Sequence, residues 1–267
     1  MGNLIRADFL KARYTHIYHS IAVYFVLISV LYIVFTDTWI FAPTESGAVG
    51  FFHNIMGQEQ DYYRIGYTGA DISACASVAH TIFFSVYCII VVYILFGKEM
   101  EGHFIDVSFA HGVEKRNLFF SKLLLSTVVL QGSYIAISFF EGLIHVLRNR
   151  PENLWVWFIL SAGKILLSCL VLESFICFCM MLSTWIGNQT IVAAVEFLFI
   201  FVGLVVELAN VHSQSPILML HCIYFWIRVC GLCNMTDLVF PTIIYSVLSC
   251  FMFSIVAYRG VLRENQK

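Results

Sequence analysis

Hydrophobic residues fall in six long runs separated by short polar breaks, at about 18–36, 72–96, 118–147, 154–183, 190–209 and 238–258. Each approaches or exceeds the roughly 20 apolar residues that carry a helix across a bilayer core. Lipid offers the backbone no hydrogen-bond partner, so each run is predicted to be helical. The third and fourth are long enough to tilt or to project beyond the hydrocarbon. A further apolar stretch, "PILMLHCIYFWIRVCGLC" over 216–233, is read differently, because it carries His221 and Arg228 and lies too close to the next run. Leu218, Cys222, Phe225, Val229 and Leu232 share one helical face there, and His221, Tyr224 and Arg228 share another. That pattern suits a surface or partly inserted helix.

Composition agrees with a membrane-embedded chain. Of 267 residues 60% are hydrophobic and 12% charged, with a mean hydropathy of +0.84. A soluble domain is nearer a quarter charged. The first apolar run begins after a polar-mixed N-terminal stretch and is too long for the apolar region of a cleaved signal peptide. The net charge of −2 says little, whereas its placement says more. With the N-terminus inside, the inner segments hold Arg6, Lys11, Arg13, Lys98, Lys115, Arg116, Lys122, Arg259, Arg263 and Lys267. The outer segments hold Arg64, Arg148, Arg150 and Arg228, and Lys164 stays within a span. The excess of inner bases predicts both termini in the cytoplasm of a multi-pass plasma-membrane protein.

The break between the second and third runs, "GKEMEGHFIDVSFAHGVEKRN" over 97–117, is then cytoplasmic. Phe104, Val107 and Ala110 recur every three residues, and Ile105 and Phe109 are four apart. A short amphipathic helix ended by Gly112 as its C-cap fits this spacing. The alternative is a solvated loop whose charges only hold the topology.

These features together resemble the permease subunits of ABC-2 type ABC transporters. Such permeases have six spans and an interfacial N-terminal helix. Their first cytoplasmic loop carries an acid, a Gly, a short helix, then Gly, Ile or Val, any residue, and a base. A Ser-Lys pair opening span three places its Lys seven residues after that base. Here Glu99 and Glu101 precede Gly102, Gly112-Val113-Glu114-Lys115 follows, and Ser121-Lys122 completes the spacing. The chain departs from many relatives over His103 to Asp106, where they have Thr-Ile-Lys-Asn, and its interval from Gly102 to Gly112 is one residue longer. The resemblance implies that the loop is a coupling helix docking on a separate ATP-binding subunit. It assigns that role to Glu99, Glu101, Gly102, Phe104, Ile105, Phe109, Gly112, Val113 and Lys115, with Phe104 and Phe109 as anchors. It also implies an elbow helix at the N-terminus, with Ile5, Phe9, Ala12 and His16 on one face and Lys11 and Arg13 available to lipid phosphates. A second permease subunit, identical or homologous, would complete the pore. ATP and Mg would reside on the partner, with no cofactor or metal on this chain and no nucleic acid involved. Among relatives, small permeases of bacteriocin, lantibiotic and peptide export or self-immunity are similar.

Motifs for chemistry on the chain itself do not appear. A P-loop would need Gly where Val92 and Phe158 stand before the two Gly-Lys pairs. Neither H-E-x-x-H nor G-x-S-x-G occurs. Cys230-x-x-Cys233 has no second ligand pair, and Cys88, Cys169, Cys177, Cys179 and Cys250 fall within spans as small apolar residues.

Charges inside the runs are more informative. Glu141, Lys164, Glu173, Glu196 and Glu207 lie in apolar surroundings. A charge at mid-span costs roughly 2.5–3.5 kcal/mol on the insertion scale, so span four, with two of them, needs partners for both. Spans three and four are joined by the short turn "RNRPEN". Similar depth below that turn predicts an ion pair of Glu141 with Lys164. The acids either line a substrate path or subunit interface, or serve as paired or protonated packing residues. The expectation is thus an all-α, single-domain polytopic permease over 1–267, exporting a peptide or amphipathic compound. The alternatives are a membrane enzyme without a recognisable motif and a non-transporting immunity or sensor protein that binds a peptide.

Overall fold

Where they are described, the apolar runs are helical, since apolar surroundings leave their backbone groups no other partners, and the last of them holds Pro241 within its helix. The computed structural model describes residues 2–37, 83–101, 108–149, 154–209 and 236–263. Among these there is no strand. Helix α1 (Gly2–Tyr14) turns at Thr15 and His16 into α2 (Ile17–Asp37). His16 closes α1 with φ 59°, a left-handed conformation that costs a side-chain-bearing residue about 1 kcal/mol. Helix α3, residues 83–101, contains a π-helical turn at Tyr93–Gly97 and ends in the α-helical turn Lys98–Glu101. Then come α4 (Lys115–Asn149), α5 (Leu154–Trp185), α6 (Gln189–Ala209) and α7 (Thr236–Arg263).

Among the described residues, four helical stretches are long and apolar enough to cross a membrane: Phe83–Met100, Lys115–Leu143, Ser161–Trp185 and Phe240–Arg263. Helices α2 and α6 are apolar as well, at 21 residues each. The boundaries differ from the sequence expectation in one direction. Helix α3 runs past Phe96 to Glu101, α4 already begins at Lys115, and α7 continues to Arg263. Charged helix ends remain helical because each helix overshoots the apolar core. At 1.5 Å per residue, α4 with its 35 residues is about 52 Å long, against about 30 Å of hydrocarbon. The surface helix expected over 216–233 lies outside the described residues.

Around an apolar core that includes Phe84, Phe119, Leu130 and Phe175, small polar residues are also buried and large apolar ones are exposed. Ser85, Ser121, Ser126, Ser168 and Ser174 are buried between helices, while Val23, Phe139, Leu166, Phe201 and Phe251 face outward. Small polar residues let helices approach closely and bond across, which is what associates helices where lipid is as apolar as leucine. The most extensive contact joins α5 and α7. The Thr184 side chain lies against the α7 backbone at Gly260, where a Cβ would be 2.5 Å from Thr184 Oγ1. The Trp185 indole N–H donates to the Val256 carbonyl at 3.0 Å, tying the same two helices.

Candidate functional site

Lys122, two turns into α4, is the centre of a buried ionic cluster. Its ammonium donates to Asp8 Oδ1 at 2.5 Å and to Glu99 Oε1 at 2.7 Å. The Lys11 ammonium reaches the same Glu99 oxygen, and the Ser121 hydroxyl donates to Asp8 Oδ2 at 2.5 Å. The side chains of Lys122, Asp8 and Glu99 are 3%, 8% and 7% exposed, whereas Lys11 is 47% exposed. Two acids and two bases cancel, so the cluster is neutral as a whole. Three elements meet in it: α1 supplies Asp8 and Lys11, α3 supplies Glu99, and α4 supplies Ser121 and Lys122.

Each element presents its charge for a local reason. On α1, Asp8 falls between Ile5 and Ala12 at helical spacing, on the face that packs inward, with Ala12 fully buried. On α3, the π turn at Tyr93–Gly97 inserts one residue and so re-aims everything after it, Glu99 included. On α4, Ser121 and Lys122 lie beside Leu118, Phe119 and Leu125, all buried, so the ammonium is drawn in with an apolar face.

The cluster holds the two ends of the α3–α4 connection. Glu99 therefore points into the protein rather than outward from the loop. Gly102, Phe104 and Ile105 lie outside the described residues, as does the Glu101 side chain. The far side of the loop is defined. Gly112 has φ 80°, its N–H donates to Phe109 O at 2.9 Å, and the Val113 N–H donates to Ser108 O at 3.1 Å. These two bonds close a short helical turn in a Schellman arrangement, which Gly adopts without strain from a Cβ. The C-cap expected at Gly112 is present. Phe109 and Val113 pack against the core, and the Lys115 ammonium sits 5.3 Å from the Phe109 ring centre. Lys115 also donates to Leu262 O at 3.1 Å, joining the start of α4 to the last turn of α7.

The intramembrane charges are distributed differently from expectation. Glu141 and Lys164 do not pair: the ion pairs among the described residues are all in the cluster above. Glu141 is buried, and the neighbouring Phe140 packs at a tilt against Phe25 of α2, with ring centres 5.0 Å apart. Equal depth did not bring the pair together because it leaves the direction around each helix unspecified. Glu173 of α5 instead faces α4, accepting from Thr127 Oγ1 and Gln131 Nε2, both at 2.8 Å. Glu196 of α6 is buried and takes a hydrogen bond from the Cys179 thiol. Glu207 lies in α6 with its side chain outside the described residues. Cys88, Cys169, Cys177 and Cys179 are buried thiols, and Cys250 is half-buried.

Asp8 is the residue that sequence reasoning missed. It is the sole acid before Asp37, and it stands on the apolar face of an otherwise basic helix. An acid so placed must find a base, and that was the available signal. Neither a protein-family model nor a curated protein matches the sequence. The cluster fixes α1, the end of α3 and the start of α4 as one body.

Proposed function

We propose that the chain is the membrane-spanning permease subunit of an ABC transporter of the ABC-2 type, with six spans and both ends in the cytoplasm. The buried cluster of Asp8, Glu99 and Lys122 carries this reading, together with the loop motif that begins at Glu99 and ends at Lys122. A loop that receives the closure of an ATP-binding subunit must be held stiffly at both ends, or the movement is dissipated in the loop. An ion cluster does this better than an apolar contact, because its geometry is directional and a partial break is costly. Four helices among the described residues are long and apolar enough to cross a membrane and support the membrane placement, and on this reading the apolar α2 and α6 are the other two spans. The substrate is a peptide or amphipathic compound, and a second permease subunit completes the path.

Phe104 is assigned as the anchor for the partner, since Phe109 is packed against the core beneath Lys115. A buried aromatic anchor carries about 2 kcal/mol or more of an interface, so its loss weakens association about thirtyfold. The test is affinity purification of the tagged chain from its native membrane, with and without Phe104→Ala. The wild-type chain should retain a protein with a P-loop and ATPase activity. The variant should insert normally and lose it. Equal retention by both chains contradicts the docking role, and absence of any ATPase with the wild type contradicts the permease assignment.

A further inference from the structure

The end of the bundle that holds the ion cluster is also strongly basic on its outer surface. Among the described residues there, Arg6, Arg13, Lys98, Arg116, Arg259 and Arg263 are exposed. Glu114 is the exposed acid, and it is engaged by the Asn117 amide at 3.0 Å. Asp8 and Glu99 contribute nothing outside, since Lys11 and Lys122 neutralise them within the cluster.

Several of these bases are seated on rings. The Arg263 guanidinium lies 5.4 Å from the Trp185 ring, Arg116 lies 5.8 Å from Phe120, and the Lys98 ammonium lies 5.9 Å from Tyr93. A ring beneath a cation holds it at the level where apolar surface gives way to water. The bases also continue outward apolar stripes. On α7, Val247, Leu248, Phe251 and Ile255 are exposed at helical spacing, and Arg259 stands one turn beyond Ile255 on the same stripe. The Trp185 indole beside it is fixed by its bond to Val256 O.

We infer that Arg259 and Arg263, with Trp185, form a binding site for an anionic phospholipid, whose phosphate meets the two guanidinium groups while its acyl chains lie along the α7 stripe. An acyl chain and a phosphate on one molecule match an apolar stripe that ends in arginine. A soluble acidic protein would satisfy the arginines but leave the stripe uncovered. Guanidinium and phosphate match in bidentate geometry. The site rests on the membrane placement proposed above and not on transport or on an ATP-binding partner.

The test uses the full chain purified in detergent and its melting midpoint followed by tryptophan fluorescence. The added probes are phosphatidylglycerol, phosphatidylcholine with the same acyl chains, and inorganic phosphate. At about 100 times its Kd a lipid that binds the folded chain raises the midpoint by roughly 5–10 °C. Phosphatidylglycerol should produce that shift, and the other two should not. Arg259→Gln with Arg263→Gln should abolish the preference, and Arg259→Lys with Arg263→Lys should retain most of it. Equal shifts from both lipids, a full shift from phosphate alone, or an undiminished preference in the Gln pair overturns the site. The wild-type comparison decides the matter even where the Gln pair folds poorly. Alkaline extraction of membranes separates the two inferences: a chain stripped into solution refutes the membrane placement, and a chain that stays without a lipid preference refutes only the site.

Discussion

Replacing Lys122 by Met tests whether the ionic cluster holds α1, α3 and α4 together. Lys122 is the member that bridges all three helices, bonding Asp8 at 2.5 Å and Glu99 at 2.7 Å. Methionine keeps most of the side-chain volume, so the packing around Phe119 and Leu125 changes little. Electrostatically the effect is large. Glu99 retains Lys11, but Asp8 retains only the Ser121 hydroxyl among the described residues. Removing one partner of a buried pair costs about 3–5 kcal/mol, because the remaining charge is stranded away from water. Every 1.4 kcal/mol is tenfold, so the folded-to-unfolded ratio should fall by more than about a hundredfold. The assay is thermal unfolding of purified Lys122→Met in detergent, alongside wild type and Asp8→Leu with Lys122→Met. In the double variant both members of the stranded pair are gone and Glu99 still has Lys11, so most of the loss should be recovered. Replacing a buried ion pair with apolar residues of similar volume is often neutral or better. A single variant that melts with the wild type, or a double variant no more stable than the single, would show that the cluster does not act as described.

Two further outcomes follow from other contacts. Gly260→Ala should destabilise the α5–α7 contact by about 1–3 kcal/mol, measured as a lower melting midpoint, because its Cβ would lie 2.5 Å from Thr184 Oγ1 and 2.7 Å from Thr184 Cβ. In a chain cleared of its native cysteines, Lys115→Cys and Arg263→Cys should react with an impermeant thiol reagent from the cytoplasmic side alone. The Lys115 bond to Leu262 O places both at one end of the bundle, so labelling from opposite sides contradicts the fold and labelling of both from outside inverts the orientation.

Which segments become helices was legible from the chain alone, because hydrophobicity sustained over about 20 residues has one solution in lipid. The run at 154–183 appears as Leu154–Trp185, and the run at 190–209 as Gln189–Ala209. Gly112 was legible too, since a helical turn that ends where the chain must reverse calls for a left-handed residue, and its φ is 80°. The partners of the buried charges were not. Depth along a helix follows from residue number, but azimuth depends on how whole helices rotate and cross. Glu141 and Lys164 share a depth and still do not meet, while Glu173 finds Thr127 and Gln131. Asp8 shows the same division. Its sequence position made a base obligatory, yet only the tertiary structure could say which. Lys122 lies 114 residues away, and it is brought into reach by the packing of α1 on α4 and by a π turn that re-aims the end of α3.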